Sequence, residues 1–111
     1  MTMPEVEPEE AQELVQKGAY LLDVRETDEW IAGHAPDAKH VALGEVPAFV
    51  DRLPRDRQIV AVCRSGARSA RATEFLVAQG FDVVNLAGGM KAWAATGLDV
   101  EADDGTEGIV A

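Results

Sequence analysis

Apolar residues along this chain alternate between short unbroken runs and spacings of three and four. The runs are Tyr20-Leu-Leu-Asp-Val24, Lys39 to Ala42, Ile59-Val-Ala-Val62 and Asp82 to Leu86, with Val6 in a short opening segment. Runs of this length, rich in β-branched residues, predict strands, and strands buried on both faces where no polar residue alternates. Between them, Ala11, Leu14 and Val15, then Val46, Phe49, Val50 and Leu53, then Ala72, Phe75 and Leu76, then Met90, Trp93 and Ala94 fall on one face of a helix. The punctuation agrees. Pro8 stands at a first helical position followed by Glu9 and Glu10, with Lys17 and Gly18 at the other end. Thr27 is the expected N-cap of a short helix reaching toward Gly33, Pro54 closes the helix beginning near Val46, and Gly80 stops one running from about Ser69 to Gln79. Gly88-Gly89 opens the last helix and Gly97 ends it. Strands alternating with helices predict an α/β domain, with a mostly parallel sheet flanked by helices on both faces.

From Asp99 onward the periodicity disappears and acidic residues accumulate. The expected organisation is therefore a single domain over residues 1–100 and a mobile acidic tail over 101–111, dispensable for folding because it offers little apolar surface.

The stretch from Ile59 to Thr73 carries the chemistry. Its strand ends at Cys63, the single cysteine, and the residues after it are small or basic: Arg64, Ser65, Gly66, Ala67, Arg68, Ser69. A strand, a tight loop and a helix N-terminus make an anion site, because backbone N–H groups without intrahelical partners converge there. Such a setting favours thiolate over thiol. From Arg57 to Thr73 there are four arginines and no acid, in a chain of net charge −10. That reversal predicts an anionic substrate, with Arg64, Arg68 and Arg71 lowering the thiol pKa. A lone cysteine after an apolar run is often only a small buried hydrophobe. Three neighbouring arginines and the missing bulk of Ser65-Gly66-Ala67 favour a reactive thiol instead.

Other candidates carry less. His34, between Gly33 and a Pro-containing turn, reads as a structural residue rather than a general base, and His40 is weaker still. Two histidines and one cysteine match no common metal spacing, so no metal or cofactor is expected. Asp23 ends an apolar strand and needs a partner if buried, with Arg25 at hand to form a structural clamp. Trp30 and Trp93 read as core residues.

Length and composition bound the rest. A chain of 111 residues, 47% hydrophobic and 27% charged, suits one soluble globular domain. No apolar run approaches the ~20 residues of a membrane span, and the acidic start lacks the basic and apolar regions of a secretory signal. One cysteine and no signal predict a reducing, cytoplasmic setting. The acidic balance argues against a nucleic-acid partner.

Four motifs in register, Asp23-Val24-Arg25, Glu29-x-x-x-Gly33-His34-x-Pro36-x-Ala38, Cys63-Arg64-Ser65-Gly66-Ala67-Arg68-Ser69 and Gly88-Gly89-x-x-x-Trp93, resemble single-domain rhodanese-like sulfurtransferases. The likeness runs from about Val6 to Gly97. It implies a five-stranded, largely parallel sheet and a ping-pong reaction through a persulfide on Cys63, with Arg64 to Ser69 as the substrate cradle. The implied partners are a small anionic donor such as thiosulfate and an acceptor such as cyanide, a thiol or a protein. Cysteine phosphatases and arsenate reductases of the same architecture need Cys-x5-Arg, whereas here the arginine, Arg68, comes one residue early. Non-catalytic interaction modules of the family typically lack the loop cysteine that is present here.

Overall fold

A computed structural model describes residues 4–111; residues 1–3, at the head of the expected 1–100 domain, lie outside the described part. Five strands form one sheet, β1 (Glu5–Val6), β2 (Tyr20–Asp23), β3 (Lys39–His40), β4 (Ile59–Val62) and β5 (Val83–Leu86). Their order is β1-β5-β4-β2-β3 and every pairing is parallel. The helices are α1 (Pro8–Gln16), α2 (Thr27–Ala32), α3 (Val46–Phe49), α4 (Ala67–Ala78) and α5 (Gly89–Ala95).

Strand β4 is central, and all four of its residues are buried because both sheet faces are covered. Ile59, Ala61 and Cys63 face a core shared with Val46, Leu53, Ala72, Leu76 and Phe81. Val60 and Val62 face the opposite core, with Ala11, Leu21, Met90 and Trp93. Burying each Val or Ile side chain is worth roughly 1.5–3 kcal/mol, so the strand that ends in Cys63 is firmly anchored. No helix among the described residues is long and apolar enough to cross a membrane.

Several elements depart from the sequence expectation. The helix expected from Val46 through Leu53 is one turn of α-helix between two 3-10 turns, Leu43–Glu45 and Val50–Arg52. Its apolar stripe still faces inward: Val46 and Leu53 are buried, and Phe49 and Val50 pack against the same core. Helix α2 is capped by Glu26 rather than Thr27: the Glu26 side chain accepts from the Glu29 amide and the Glu29 carboxylate accepts from the Glu26 amide. Ala94 is exposed while Met90 and Trp93 are buried. Helix α4 starts at Ala67, two residues before the expected Ser69, so the loop after β4 is only Cys63 to Gly66.

The segment 101–111 also differs from a loose tail. Glu101 and His34 exchange backbone hydrogen bonds of 2.9 Å, and Asp103 and Ile109 donate to the Ile31 and Ala32 carbonyls at 3.1 and 3.0 Å. A turn at 102–106 reverses the chain, held by Asp104 Oδ1 accepting from the Thr106 amide and hydroxyl. Where the strap crosses the α2 end, Gly33 and Gly108 meet backbone to backbone: a Cβ on Gly108 would lie 2.8 Å from the Gly33 Cα. Apolar content gave little sign of this, because backbone pairing holds most of the segment, with Val110 packed against the core that contains Met90 and Trp93.

Candidate active site

Cys63 follows the last residue of β4, at the carboxyl edge of the sheet where parallel α/β folds place their ligands. The four residues Cys63 to Gly66 must then turn back into α4. Gly66 makes that turn with φ +111°, a left-handed conformation open to glycine and costly for other residues.

The loop carbonyls are drawn away from the sulfur by neighbouring elements. The first amides of α5 hold two of them, Met90 N–H donating to the Cys63 carbonyl at 2.8 Å and Lys91 N–H to the Arg64 carbonyl at 3.0 Å. This contact explains Gly88-Gly89. A Cβ on Gly89 would lie 2.6 Å from the Arg64 carbonyl oxygen, and both glycines have positive φ. A third carbonyl, that of Gly66, accepts from the Ala70 amide at 3.0 Å, the Asn85 side-chain Nδ2 at 3.1 Å and the Ser69 hydroxyl at 3.2 Å.

With the carbonyls turned outward, the amides turn in. Gly66 N–H donates to Cys63 Sγ at 3.1 Å and the Ser69 hydroxyl reaches it at 3.3 Å. Cys63 is only 1% exposed. That burial by itself pushes the thiol pKa up. The Ser69 hydroxyl and the amides of Ser69, Gly66 and Ser65 pull it down, and together they leave it below the ordinary cysteine value. The result is a buried thiol whose ionised form is favoured by neutral donors at a helix N-terminus.

The arginines do not play the part expected of them. Arg68, in the first turn of α4, forks onto Glu29 of α2, Nη1 to Oε1 at 2.6 Å and Nη2 to Oε2 at 2.8 Å. The Arg68 hydrogen bonds hold the Glu29 carboxyl down to about 2 despite partial burial. Arg64 is exposed and its Nε donates to the Ala111 carbonyl at 2.9 Å. Arg71 is exposed on α4. Arg57 lies at the opposite end of β4, donating to the Gly18 carbonyl and placed 5.3 Å over the Tyr20 ring. Of the predicted cradle, then, Ser65, Gly66 and Ser69 surround the sulfur, Ala67 begins the helix, and Arg64 and Arg68 point to partners of their own.

The supporting clamp is as expected. Asp23 and Arg25 are both fully buried and joined at 2.7 Å, with Arg25 Nε bridging both carboxylate oxygens and Nη2 also donating to the Gly33 carbonyl. His34 is buried against the face of Trp30, ring centroids 3.6 Å apart, and His40 stacks beyond it while its Nε2 contacts the Arg25 carbonyl at 2.7 Å. Neither histidine hydrogen-bonds to the sulfur. Glu29, Asn85 and the α5 amides were not singled out as site residues by sequence reasoning. Asn85 had a legible signal, a polar residue in the apolar run Val83-Val84-Asn85-Leu86.

Comparison with known proteins agrees with this geometry. The rhodanese-like domain family matches residues 7–96. A sulfurtransferase of Allochromatium vinosum is 42% identical over 86 residues, 77% of this chain and 80% of that protein. The thiosulfate sulfurtransferase GlpE of Pseudomonas savastanoi pv. phaseolicola is 38% identical over 92 residues, 82% of this chain and 87% of that protein. The crystal structure of a rhodanese-related protein from Thermoplasma volcanium superposes with a TM-score of 0.82 at 31% identity, covering 87% of this chain and 96% of that one.

Proposed function

The chain belongs to the rhodanese-like domain family, and from that premise we propose that it is a thiosulfate-type sulfurtransferase working through a persulfide on Cys63. The observation that carries this reading is the ring of N–H and O–H donors from Gly66, Ser69 and Ser65 around one buried sulfur. In the first half-reaction the Cys63 thiolate attacks the outer sulfur of thiosulfate. A new S–S bond forms to Cys63, the S–S bond of thiosulfate breaks, and sulfite leaves with the electron pair. In the second, a nucleophile such as cyanide attacks the outer sulfur of the persulfide. Thiocyanate forms, and the thiolate departs with its electron pair into the same donors. No proton moves in either half, so no general base is needed, consistent with histidines that make no hydrogen bond to the sulfur.

The names of the relatives support sulfur transfer, and the thiosulfate sulfurtransferase among them supports thiosulfate as donor. Phosphoryl transfer is disfavoured because Arg68, the arginine nearest the required position, is committed to Glu29. A purely non-catalytic interaction module is disfavoured by a loop cysteine that is present and whose ionised form the surrounding donors favour. The test is thiocyanate production from thiosulfate and cyanide. Wild-type protein should turn over and Cys63→Ser should fall to the rate without protein. Phosphate-ester hydrolysis dependent on Cys63, without sulfur transfer, would overturn the assignment.

A further inference from the structure

Asn85 is a polar side chain in the middle of a buried strand, 1% exposed, with a half-satisfied amide. Its Nδ2 donates to the Gly66 carbonyl at 3.1 Å and lies 3.5 Å from Glu5 Oε2, while Oδ1 is buried without a hydrogen-bond partner among the described residues. The orientation of the amide follows from its surroundings, since both neighbours of Nδ2 are acceptors and a flipped amide would set oxygen against oxygen. A buried acceptor left unpaired is costly, and a leucine of similar size would avoid the cost. The residue is therefore a poor choice for stability alone.

The Gly66 carbonyl explains what Asn85 does. The Ser69 hydroxyl has one proton and two acceptors within reach, the Gly66 carbonyl at 3.2 Å and Cys63 Sγ at 3.3 Å. Whichever acceptor is less satisfied draws it. The Gly66 carbonyl is the crowded acceptor of the loop: it takes the first amide bond of α4 from Ala70 at 3.0 Å and the Asn85 amide at 3.1 Å, and both compete with the Ser69 hydroxyl for it. The other held loop carbonyls, those of Cys63 and Arg64, are fixed by backbone amides of α5. At Gly66 the Ala70 amide does the same, and a side chain from β5 adds a second donor.

We propose that Asn85 is a positioning residue for the sulfur-transfer reaction: by donating to the Gly66 carbonyl beside the Ala70 amide it saturates that acceptor and releases the Ser69 hydroxyl to the charged sulfur of Cys63. The proposal rests on the persulfide reading and adds a residue that never touches the reacting atoms. It acts through Gly66 and Ser69, and its effect is greatest when the sulfur is charged, as thiolate or persulfide.

The test is Asn85→Leu, read by the pH dependence of Cys63 alkylation, by melting temperature and by thiosulfate:cyanide turnover, with Asn85→Ala measured the same way should the leucine variant fail to fold. The expected result is an alkylation midpoint displaced to higher pH and turnover lowered several-fold, with the melting temperature of the leucine variant unchanged or raised. Asn85→Leu in the Ser69→Ala background should displace the midpoint less than it does alone, because the hydroxyl it releases is gone. A variant with wild-type midpoint would overturn the proposal, whatever its melting temperature. Alkylation needs no sulfur donor, so failure here is distinct from failure of the persulfide reading, which would show as a wild-type protein without sulfur transfer.

Discussion

Removing the Ser69 hydroxyl isolates the contribution of one donor to the thiolate. Ser69 is fully buried, and Ser69→Ala leaves no new cavity larger than an oxygen atom and no stranded polar group except the sulfur itself. A hydrogen bond to a charged group is worth about 1.5–3 kcal/mol. The 3.3 Å distance and the competing Gly66 carbonyl at 3.2 Å place this one at the low end. At about 1.4 kcal/mol per tenfold, the thiolate-to-thiol ratio at neutral pH should fall roughly tenfold. The rate falls less, since a more basic thiolate is a better nucleophile with a Brønsted slope of about 0.4–0.5; below both midpoints, where the thiol form predominates, the net loss of attack on thiosulfate is about threefold to fourfold, and it shrinks as pH rises through them. Thiolate ultraviolet absorbance against pH reads the ratio, and single-turnover sulfite release reads the rate. Above the displaced midpoint the variant should match or exceed wild type. An unchanged absorbance midpoint would refute the claim that this hydroxyl helps hold the thiolate.

Three further outcomes follow from the same contacts. Because the Cys63 thiol is held below its ordinary pKa in the folded state, the native protein sheds that proton first and gains stability as pH rises toward the free-thiol value of ~8.5; denaturant titrations should show this rise in wild type and not in Cys63→Ser. Glu29→Gln should lose about 1 kcal/mol at neutral pH, since the fork to Arg68 is bidentate but partly exposed. With Glu29 held at about 2 against an ordinary 4.5, the wild-type advantage is full above that ordinary value and should shrink as pH falls toward 2; a pH-independent difference in chemical denaturation would contradict the ion pair. Truncation after Val100 removes the strap that pairs with His34 and meets Arg64. A loss of about 1 kcal/mol should lower the melting temperature by roughly 4–8 °C, and an unchanged melting curve would mean the strap contributes nothing to stability.

Legibility in the sequence tracked the range of the interaction. Strand β4 and the parallel sheet were readable because burial on both faces writes an unbroken apolar run, and the Gly88-Gly89 opening because backbone approach demands glycine. The Asp23–Arg25 clamp was readable from two residues two apart. What was missed is held by partners far along the chain. Arg68 was expected to face an anion, but Glu29, 39 residues earlier, takes its guanidinium. The lowered thiol pKa was expected from loop amides and arginine charge together; the amides are as expected, the Ser69 hydroxyl adds to them, and the arginine side chains are taken by other partners. The short α3 and the 101–111 strap show the same limit from the other side: apolar spacing describes which face is buried, and says little about backbone hydrogen bonds that hold a turn or a strap.

The most direct test of the central claim is the intact mass of the protein after thiosulfate exposure and removal of excess donor. The account predicts a gain of one sulfur atom per chain, reversed by cyanide and absent in Cys63→Ser. A wild-type mass that does not change, or a gain that survives in Cys63→Ser, would contradict it.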